Sequence, residues 1–292
     1  MKVRAIINPI SGRRNMVDLV GALGEVLAER GCELEIGKSQ RAGDVTRLAA
    51  QTPPTTRAIV VAGGDGTLRE VIQGINGSRV PIVVLPTGTE NVLAKHFHYR
   101  ADVETAVRAI MHGREIDYDV GVCGKKRFFM TVGVGFDAEV ARRVHESRDG
   151  HISYLSYVRP TLNTFLKYDF PAISVEVDGE KVFEGRGLAW VGVLPRYAIG
   201  TRILAKAHIN DGLLDVCILP CSGKASVVAH AARLLIGRHL RPAGVQYHQC
   251  TSAGVTSLDE RNVSIQIDGD YAGTLPVECS VIRSGVRFLL PH

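Results

Sequence analysis

No apolar run in the sequence approaches the length of about 18 residues that a membrane-spanning helix requires. The first residues, MKVRAIINPISG, also lack the apolar core of a secretory signal peptide. We therefore expect a cytoplasmic protein without a transmembrane segment. Any contact with a membrane is expected to be peripheral.

Cysteine is sparse, and its spacing argues against two common uses of this residue. No Cys-x-x-Cys pair occurs, which leaves no signature of a redox motif or zinc site, and the scattered positions give no disulfide framework. We expect reduced cysteines that mostly pack in the interior. The six positions are 32, 123, 217, 221, 250 and 279.

Charge of either sign is moderate. The net charge is +5, and 22% of the residues are charged, while 45% are hydrophobic. A mildly basic protein suits nucleotides or anionic lipid surfaces, but this charge is too small to indicate a nucleic-acid partner. We therefore expect no nucleic acid.

The N-terminal part of the chain alternates strand-like and helix-like segments. The apolar stretch VRAIIN predicts a short buried strand, and apolar residues then recur at helical spacing from Met16 to Leu27. Similar pairs continue to about residue 115, and repeated βα units imply a parallel sheet flanked by helices. We predict an α/β nucleotide-binding domain over residues 1–115.

After residue 115 the segments are mainly β-like and are joined by Asp-Gly or Gly-rich turns, as in ISVEVDGEKVFEG and VSIQIDGDYAG. This pattern predicts antiparallel strands. We predict an all-β, sandwich-like domain over residues 116–292, whose last strand could return to the first domain. Within it, GVGFDA (residues 133–138) lacks the later acid of a dinucleotide fingerprint, and we interpret it as a close-packed glycine segment.

The stretch VVAGGDGTLREVIQGI (residues 60–75) runs from a strand through a glycine cluster into a helix, which Thr67 is predicted to cap. Such a loop presents backbone N–H groups and the positive end of a helix to an anion. It contains a carboxylate, Asp65, but a Walker A motif with its lysine occurs nowhere in the sequence. We interpret Asp65 as an indirect phosphate ligand acting through Mg²⁺. The alternative is a tight turn without a ligand.

Two further loops have the same character. INPISGR (residues 7–13) follows the first strand and includes Asn8, and LPTGTENVLAKHF (residues 85–97) follows a later strand and includes Thr89. Open α/β sheets bind ligands at the carboxyl ends of their parallel strands, where these loops are expected to converge. Each loop alone resembles a common turn, but together they predict a nucleotide site.

The motifs INPISG, GGDGTLREVIQGI and PTGTENVLAKHF, followed by GVGFDAEV, INDGLLDV and IDGD, resemble those of the diacylglycerol kinase catalytic-domain family. The closer similarity is to its soluble bacterial lipid kinases, which are related to sphingosine kinases. The resemblance covers nearly the whole chain. It implies an α/β nucleotide domain and a β-sandwich with ATP in the cleft between them.

The resemblance also implies particular ATP contacts. Two departures from the family pattern are Glu90, where Gly or Ala is usual, and Asp-Gly-Asp in place of Asp-Gly-Glu. The matching ATP positions are Asn8, Ser39, Gly63, Gly64, Asp65, Gly66, Thr67 and Thr89.

Phosphoryl transfer to a hydroxyl needs a carboxylate that accepts the hydroxyl proton. Two Asp-Gly-acid segments offer one: Asp178 with Glu180, and Asp268 with Asp270. Both are natural hairpin turns, and the residues alone do not choose between them. The resemblance implies that Asp268 and Asp270 are the candidate catalytic acids, together with Asp65, and that the earlier copy is a plain turn.

The segment AHINDGLLDV contains another Asn-Asp-Gly turn, which by itself is ordinary. The resemblance implies a structural Mg²⁺ site there. Its ligands would be the side chain of Asp211 and the backbone carbonyls of His208 and Leu213, since hard cations prefer oxygen.

Two helical segments, residues 151–168 and 224–241, permit two interpretations. Their apolar residues could face the core, or they could form a lipid groove and a membrane-facing surface with basic residues near anionic head groups. Those basic residues are Arg233, Arg238, His239 and Arg241.

The leading hypothesis is an ATP- and Mg²⁺-dependent kinase that phosphorylates a hydroxyl of a lipid such as diacylglycerol. One alternative is a soluble-substrate kinase of the NAD kinase type, although the Asn-Glu dipeptide typical of NAD kinases is absent. A second is an inactive nucleotide- or lipid-binding sensor, which the shortened Asp270 and the unusual Glu90 favour. The sequence selects neither the lipid nor the oligomeric state, and a homodimer is among the assemblies it allows.

Overall fold

The computed structural model describes residues 1–9, 16–146, 155–259 and 261–291. The chain divides into two compact units. The first comprises Met1–Tyr118 and Ser284–His292, and the second comprises Asp119–Arg283. The first and last segments of the chain therefore belong to the same unit.

Strands and helices alternate along the first unit, and the predicted α/β architecture is confirmed. In chain order the elements are β1 (Lys2–Ile7), α1 (Met16–Ala28), β2 (Glu33–Lys38), α2 (Asp44–Ala50), β3 (Ala58–Gly63), α3 (Asp65–Gly74), β4 (Ile82–Pro86), α4 (Val92–His96), α5 (Val103–His112) and β5 (Arg114–Cys123), whose end enters the second unit.

The second unit consists mainly of strands, as predicted for a sandwich-like domain. Its elements are β6 (Lys126–Phe128), β7 (Thr131–Val134), α6 (Phe136–Glu146), α7 (Leu155–Lys167), β8 (Ala172–Val177), β9 (Glu180–Gly192), a 3-10 helix (Ala198–Gly200), β10 (Leu214–Pro220), α8 (Lys224–Leu235), β11 (Gln246–Cys250), β12 (Ser252–Ser257), β13 (Ser264–Ile267), β14 (Asp270–Thr274) and β15 (Val277–Leu290). Within the described residues, no helix is long and apolar enough to cross a membrane.

The sheet of the first unit is parallel, in the order β2, β1, β3, β4. The end of β15 joins it beside β4, where Phe288 pairs with Ile82. Every residue of β3 and β4 is buried, as expected for parallel strands covered by helices. On α1, Met16, Val20 and Leu27 are among the buried residues, which confirms the predicted helical spacing.

The strands of the second unit pair antiparallel. β9 pairs with β7, β8 and β10, while β13 pairs with β7 and β14. β12 pairs with β8 and with the first half of β15. The core between these elements includes the buried side chains of Leu188, Trp190, Leu204 and Cys217. The sandwich-like prediction is confirmed, with helices packed against the strands.

The helix α6 is missing from the sequence-based prediction. GVGFDA was interpreted as a glycine segment of the β-rich domain, but the chain turns at Gly135, whose φ is +107°, and α6 begins at Phe136. The helix buries Ala138, Val140 and Val144 on one side and carries charged residues on the other. Its small apolar residues and many charges give a weak apolar stripe, so the periodicity did not reveal it.

Candidate functional site

Loops at the carboxyl edge of the parallel sheet adjoin one another. The backbone N–H of Ser39, after β2, donates to the carbonyl of Ile7 at 3.0 Å, and that of Asn8, after β1, donates to β3 at 3.4 Å. After β4, the N–H of Thr87 donates to the carbonyl of Gly63 at 3.0 Å. The structure thus brings together loops that the sequence places far apart. The rest of the INPISGR motif, residues 10–13, lies outside the described residues.

The backbone of the glycine loop packs closely against the backbone of the loop after β4. A Cβ atom added to Gly88 would lie 2.5 Å from the Cα of Gly64 and 2.9 Å from the Oδ1 of Asn91. Asn91 in turn accepts a hydrogen bond from the Gly88 N–H and donates one to its carbonyl, at 3.2 and 2.8 Å. Glycine at both positions therefore allows the two loops to pack closely.

The predicted capping role of Thr67 is wrong. The residue that caps α3 is Gly64, without a side-chain hydrogen bond, and the helix already begins at Asp65. Thr67 lies in the first turn and is buried, and a Cβ atom on Gly63 would lie 2.5 Å from its Oγ1. Thr67 thus fills the space that Gly63 leaves open. Gly66, in the same turn, is partly exposed.

The carboxylate of Asp65 reaches the start of α4. Its Oδ2 accepts the backbone N–H of Val92 at 3.1 Å. Burial raises the pKa of Asp65 to about 6, the N–H groups of Val92 and Leu93 lower it, and the charge of Glu90 raises it. Glu90 is itself paired with Lys95 at 3.4 Å. The acid therefore ties the glycine loop to the next loop.

In the second unit, the two acids of the Asp-Gly-Asp hairpin, Asp268 and Asp270, differ in burial. Asp268 is buried, and its carboxylate accepts the backbone N–H groups of Phe129, Met130 and Thr131 at 3.2, 2.9 and 3.1 Å. Asp270 opens β14 and is half-buried. Backbone N–H groups therefore occupy much of the hydrogen-bonding capacity of the Asp268 carboxylate.

The earlier Asp-Gly-Glu hairpin has the same backbone geometry. Asp178 has a φ of 48° and Asp268 a φ of 50°, as two-residue turns of this type require. The carboxylate of Asp178 is exposed and accepts the N–H groups of Thr251 and Ser252, each at 2.9 Å. The turn geometry is shared, and only the surroundings distinguish the two copies.

The Asn-Asp-Gly loop gathers acids that the sequence interpretation did not include. Asp211 accepts the N–H of Leu213 at 3.0 Å, while Asp119 accepts that of Gly212 at 2.6 Å. Asp215 is fully buried, and burial raises its pKa to about 6, with a further increase from the charge of Asp211. Asp215 is the lone acid of the apolar strand β10, which is the only signal that could have singled it out, whereas Asp119 is one of three acids in β5.

The predicted metal site combines one carboxylate, that of Asp211, with the backbone carbonyls of His208 and Leu213. Within the part of the chain that the structure describes, no group of three or more His, Cys, Asp or Glu side chains is arranged to hold a metal ion. His208 is exposed, and Asp211 is partly exposed.

Another buried acid was also missed, although it lies in the GVGFDA segment. Asp137, in the first turn of α6, accepts hydrogen bonds from Tyr197 Oη at 2.7 Å, Trp190 Nε1 at 3.0 Å and Gln266 Nε2 at 3.3 Å. Burial raises its pKa, and these hydrogen bonds lower it. Gln266 also accepts the N–H of Gly269, in the Asp-Gly-Asp turn, at 2.7 Å.

Two family models match the chain. The first, the diacylglycerol kinase catalytic domain, matches residues 2–123, and the second, the YegS C-terminal NAD kinase beta sandwich-like domain, matches residues 130–290. The chain belongs to the diacylglycerol kinase catalytic-domain family. This confirms the family resemblance predicted from the motifs.

Curated members of the diacylglycerol kinase family align along their length. The proteins named diacylglycerol kinase from Staphylococcus carnosus and Bacillus subtilis are 24% and 25% identical and are 95% and 96% covered, each over 99% of this chain. The one from Mycobacterium tuberculosis is 27% identical over all of this chain and 96% of its own length. These relatives support a kinase.

A solved structure of a diacylglycerol kinase from Bacillus anthracis has the same fold. It superposes with a TM-score of 0.76 over 99% of this chain and 96% of its own, at 20% sequence identity. The shared fold extends over both units.

Proposed function

We propose that this member of the diacylglycerol kinase family is an ATP- and Mg²⁺-dependent lipid kinase that phosphorylates a hydroxyl of a lipid such as diacylglycerol. The observation that carries the proposal is the set of adjoining loops at the carboxyl edge of the parallel sheet, centred on the glycine loop. Family membership supports the kinase class and implies a nucleotide as phosphoryl donor.

Backbone amides and small polar side chains would hold the triphosphate. The glycines of the loop place no side chain over their N–H groups, and the N-terminus of α3 favours negative charge. Neighbouring loops would contribute the remaining contacts. The proposed ATP-binding residues are Asn8, Ser39, Gly63, Gly64, Asp65, Gly66, Thr67 and Thr89.

Asp65 is the residue that we propose to organise Mg²⁺ at the phosphates. With a pKa of about 6, its carboxyl is ionised at pH 7 although burial disfavours the charge, and the nearby cation Lys95 is paired with Glu90. A divalent cation would offset this negative charge, so the residues present fit the metal. When bound, Mg²⁺ would neutralise the negative charge of the phosphates during phosphoryl transfer.

Asp270 is the residue that we propose as the proton acceptor. Asp268 accepts three backbone N–H groups and is buried, whereas Asp270 is half-buried at the start of β14. A base must be reached by the hydroxyl of the substrate, and a half-buried carboxylate is more accessible than a buried one. Asp268 would then fix the hairpin, and Asp270 would take the proton.

A second, structural Mg²⁺ is proposed at the Asn-Asp-Gly loop, held by Asp211 and the carbonyls of His208 and Leu213. The supporting observation is the buried Asp215 nearby. Burial and the charge of Asp211 raise the pKa of Asp215, while Tyr247 and Gln249, which face its carboxylate, lower it. A cation would compensate this local negative charge.

Two helices of the second unit support peripheral contact with a lipid surface. On α7, Val158, Leu162 and Leu166 are 53%, 57% and 63% exposed and follow one another every four residues. On α8, Val228 and Leu235 are also exposed. Neither helix contains an acidic residue. Exposed aliphatic side chains on helices that contain no acid suit an anionic bilayer.

Transfer of ³²P from γ-labelled ATP by the purified protein tests the proposal. With diacylglycerol in mixed micelles, or with a total lipid extract, we expect Mg²⁺-dependent label in the organic phase, and mass spectrometry of that product identifies the lipid. Label that stays in the aqueous phase would indicate a soluble substrate. No consumption of ATP with any acceptor would indicate the inactive sensor.

A further inference from the structure

A buried polar network lies beneath the Asp-Gly-Asp turn. Its centre is Gln266 on β13, which is 1% exposed. One end of its amide donates to Oδ2 of Asp137 at 3.3 Å and to Tyr197 Oη at 3.4 Å. The other end accepts the backbone N–H of Gly269 at 2.7 Å. Gln266 thus connects α6 to the turn that carries the candidate catalytic acids.

The chemistry of the groups fixes the orientation of this amide. The backbone N–H of Gly269 only donates, so the carbonyl oxygen of Gln266 must face it and the NH₂ group must face Asp137. Asp137 is itself oriented by Trp190 and Tyr197, at 3.0 and 2.7 Å.

The glycine at position 133 makes room for this network. A Cβ atom there would lie 2.4 Å from both Oδ2 of Asp137 and Nε2 of Gln266. Because β7 and β13 are neighbours, Gly133 faces Gln266 directly in the register. The GVGFDA segment therefore contributes both the acid and the space around it.

We propose that Asp137 and Gln266 are positioning residues, which hold the Asp268–Asp270 turn so that Asp270 keeps the orientation needed for proton acceptance. The role rests on the proposed kinase function. Neither residue needs to touch the substrate: Asp137 acts through Gln266, and Gln266 acts through the N–H of Gly269. A displacement of a catalytic group by about 1 Å can lower a rate by as much as about a hundredfold.

The earlier hairpin supplies a matched comparison. Glu176 stands two residues before Asp178, as Gln266 stands two residues before Asp268, but Glu176 is exposed. That hairpin is tied to its neighbour through Asp178 and Thr251 instead. The buried anchor therefore belongs to the copy proposed to be catalytic.

Gln266→Met tests the proposal, because it keeps the length of the side chain and removes its three hydrogen bonds. We expect kcat for phosphorylation of diacylglycerol in mixed micelles to fall on the order of ten- to a hundredfold. The KM for ATP should stay within about twofold, since the proposed ATP contacts are in the other unit. The matched control Glu176→Met should keep the wild-type kcat.

Two further measurements separate positioning from general damage. Amide hydrogen exchange at Gly269 should accelerate at least about tenfold in Gln266→Met, while the exchange of core amides stays unchanged. Asp137→Asn should also lower kcat, and the double variant should lose no more than Gln266→Met alone, because the two residues act in series.

Unchanged kcat in Gln266→Met, additive losses in the double variant, or unchanged exchange at Gly269 would each overturn the proposal. If the wild-type protein shows no turnover at all, the kinase proposal fails, and with it the catalytic role of the two residues. The exchange experiment would still decide whether the network holds the turn.

Discussion

At the scale of single residues, one acid in each candidate loop binds backbone amides. Asp65 accepts the N–H of Val92, and Asp268 accepts three N–H groups of the segment from Phe129 to Thr131. Each acid therefore links its loop to another part of its unit. A substitution that removes the acceptor oxygen at either position is expected to disturb this link as well as remove a charge.

Asp65→Asn should lower kcat/KM on the order of a hundredfold or more, because the proposed Mg²⁺ would lose its carboxylate. The fold should remain, since the amide oxygen of Asn can still accept the N–H of Val92. Kinase assays and circular dichroism measure the two effects. Full activity in the variant would reject the role of Asp65.

The same variant should change how stability depends on pH. Burial raises the pKa of Asp65 from 3.8 to about 6, so its contribution to folding is fully present below pH 4 and is lost as the pH rises through about 6. Urea unfolding should show wild type losing about 1 to 3 kcal/mol relative to Asp65→Asn between pH 4.5 and 7.5. The exposed Asp18→Asn serves as the control and should show no such difference.

Asp270→Asn should lower kcat by about a hundred- to ten-thousandfold, which is the usual contribution of a general base. The KM for ATP should change little. Glu180→Gln removes the corresponding acid of the other hairpin and should leave kcat at the wild-type value. Equal loss in both variants, or in neither, would contradict the assignment.

At the scale of the elements, the loops after β3 and β4 are packed tightly together, because a glycine of one loop lies against a glycine of the other. Gly88 approaches the backbone of Gly64, while the amide of Asn91 closes the second loop on itself. Contact between backbones leaves no flexible side chain that could move aside. Any added side-chain atom must therefore shift one of the two loops.

Gly88→Ala should lower the free energy of unfolding by about 1 to 3 kcal/mol and weaken ATP binding, because its Cβ atom would lie 2.5 Å from the Cα of Gly64. Chemical denaturation and calorimetry with an ATP analogue measure these effects. Gly21→Ala, in α1, has no atom within 4 Å of the added Cβ and should be neutral or stabilising. If both variants behave alike, close packing of the loops is not the cause.

Leu162→Asp on α7 should weaken binding to phosphatidylglycerol-containing vesicles by about tenfold or more, since it removes an apolar side chain and adds a repelled charge. Thr161→Asp adds the same charge at the adjacent exposed position and should have a smaller effect. Vesicle sedimentation compares the two variants. Equal losses would mean that charge alone, and not the apolar stripe, governs binding.

At the scale of the whole molecule, the end of β15 returns to the first unit after its beginning pairs with β12 in the second. β5 also crosses from one unit to the other. The chain therefore passes from one unit to the other at two places, within β5 and within β15. The proposed nucleotide-binding residues are in the first unit, and the proposed proton acceptor is in the second.

Mg²⁺-ATP should raise the melting temperature, whereas ATP with a chelator should not. At a ligand concentration one hundred times the Kd, binding stabilises the folded state by about 2.7 kcal/mol. Differential scanning fluorimetry with ATP, ATP plus Mg²⁺, and Mg²⁺ alone separates the contributions. An equal shift with and without Mg²⁺ would argue against a metal at Asp65.

The sequence by itself determined the features that depend on neighbouring residues. Apolar spacing from Met16 to Leu27 specified α1, and Asp-Gly pairs at 178 and 268 specified two hairpin turns of the same geometry. The family motifs are also short segments of sequence, and they predicted an α/β domain followed by a β-sandwich domain. The cap assigned to Thr67 failed because the preceding glycine and Asp65 allowed the helix to begin earlier.

Only the tertiary structure decided which groups these residues meet. Asp65 binds an amide 27 positions away, Asp268 binds amides up to 139 positions away, and Gln266 reaches Asp137 across 129 positions. Such partners are selected by the packing of strands and helices that are distant in the chain, and no local pattern encodes them. The physical reason is that a carboxylate or an amide hydrogen-bonds to whichever donor the fold places within about 3 Å.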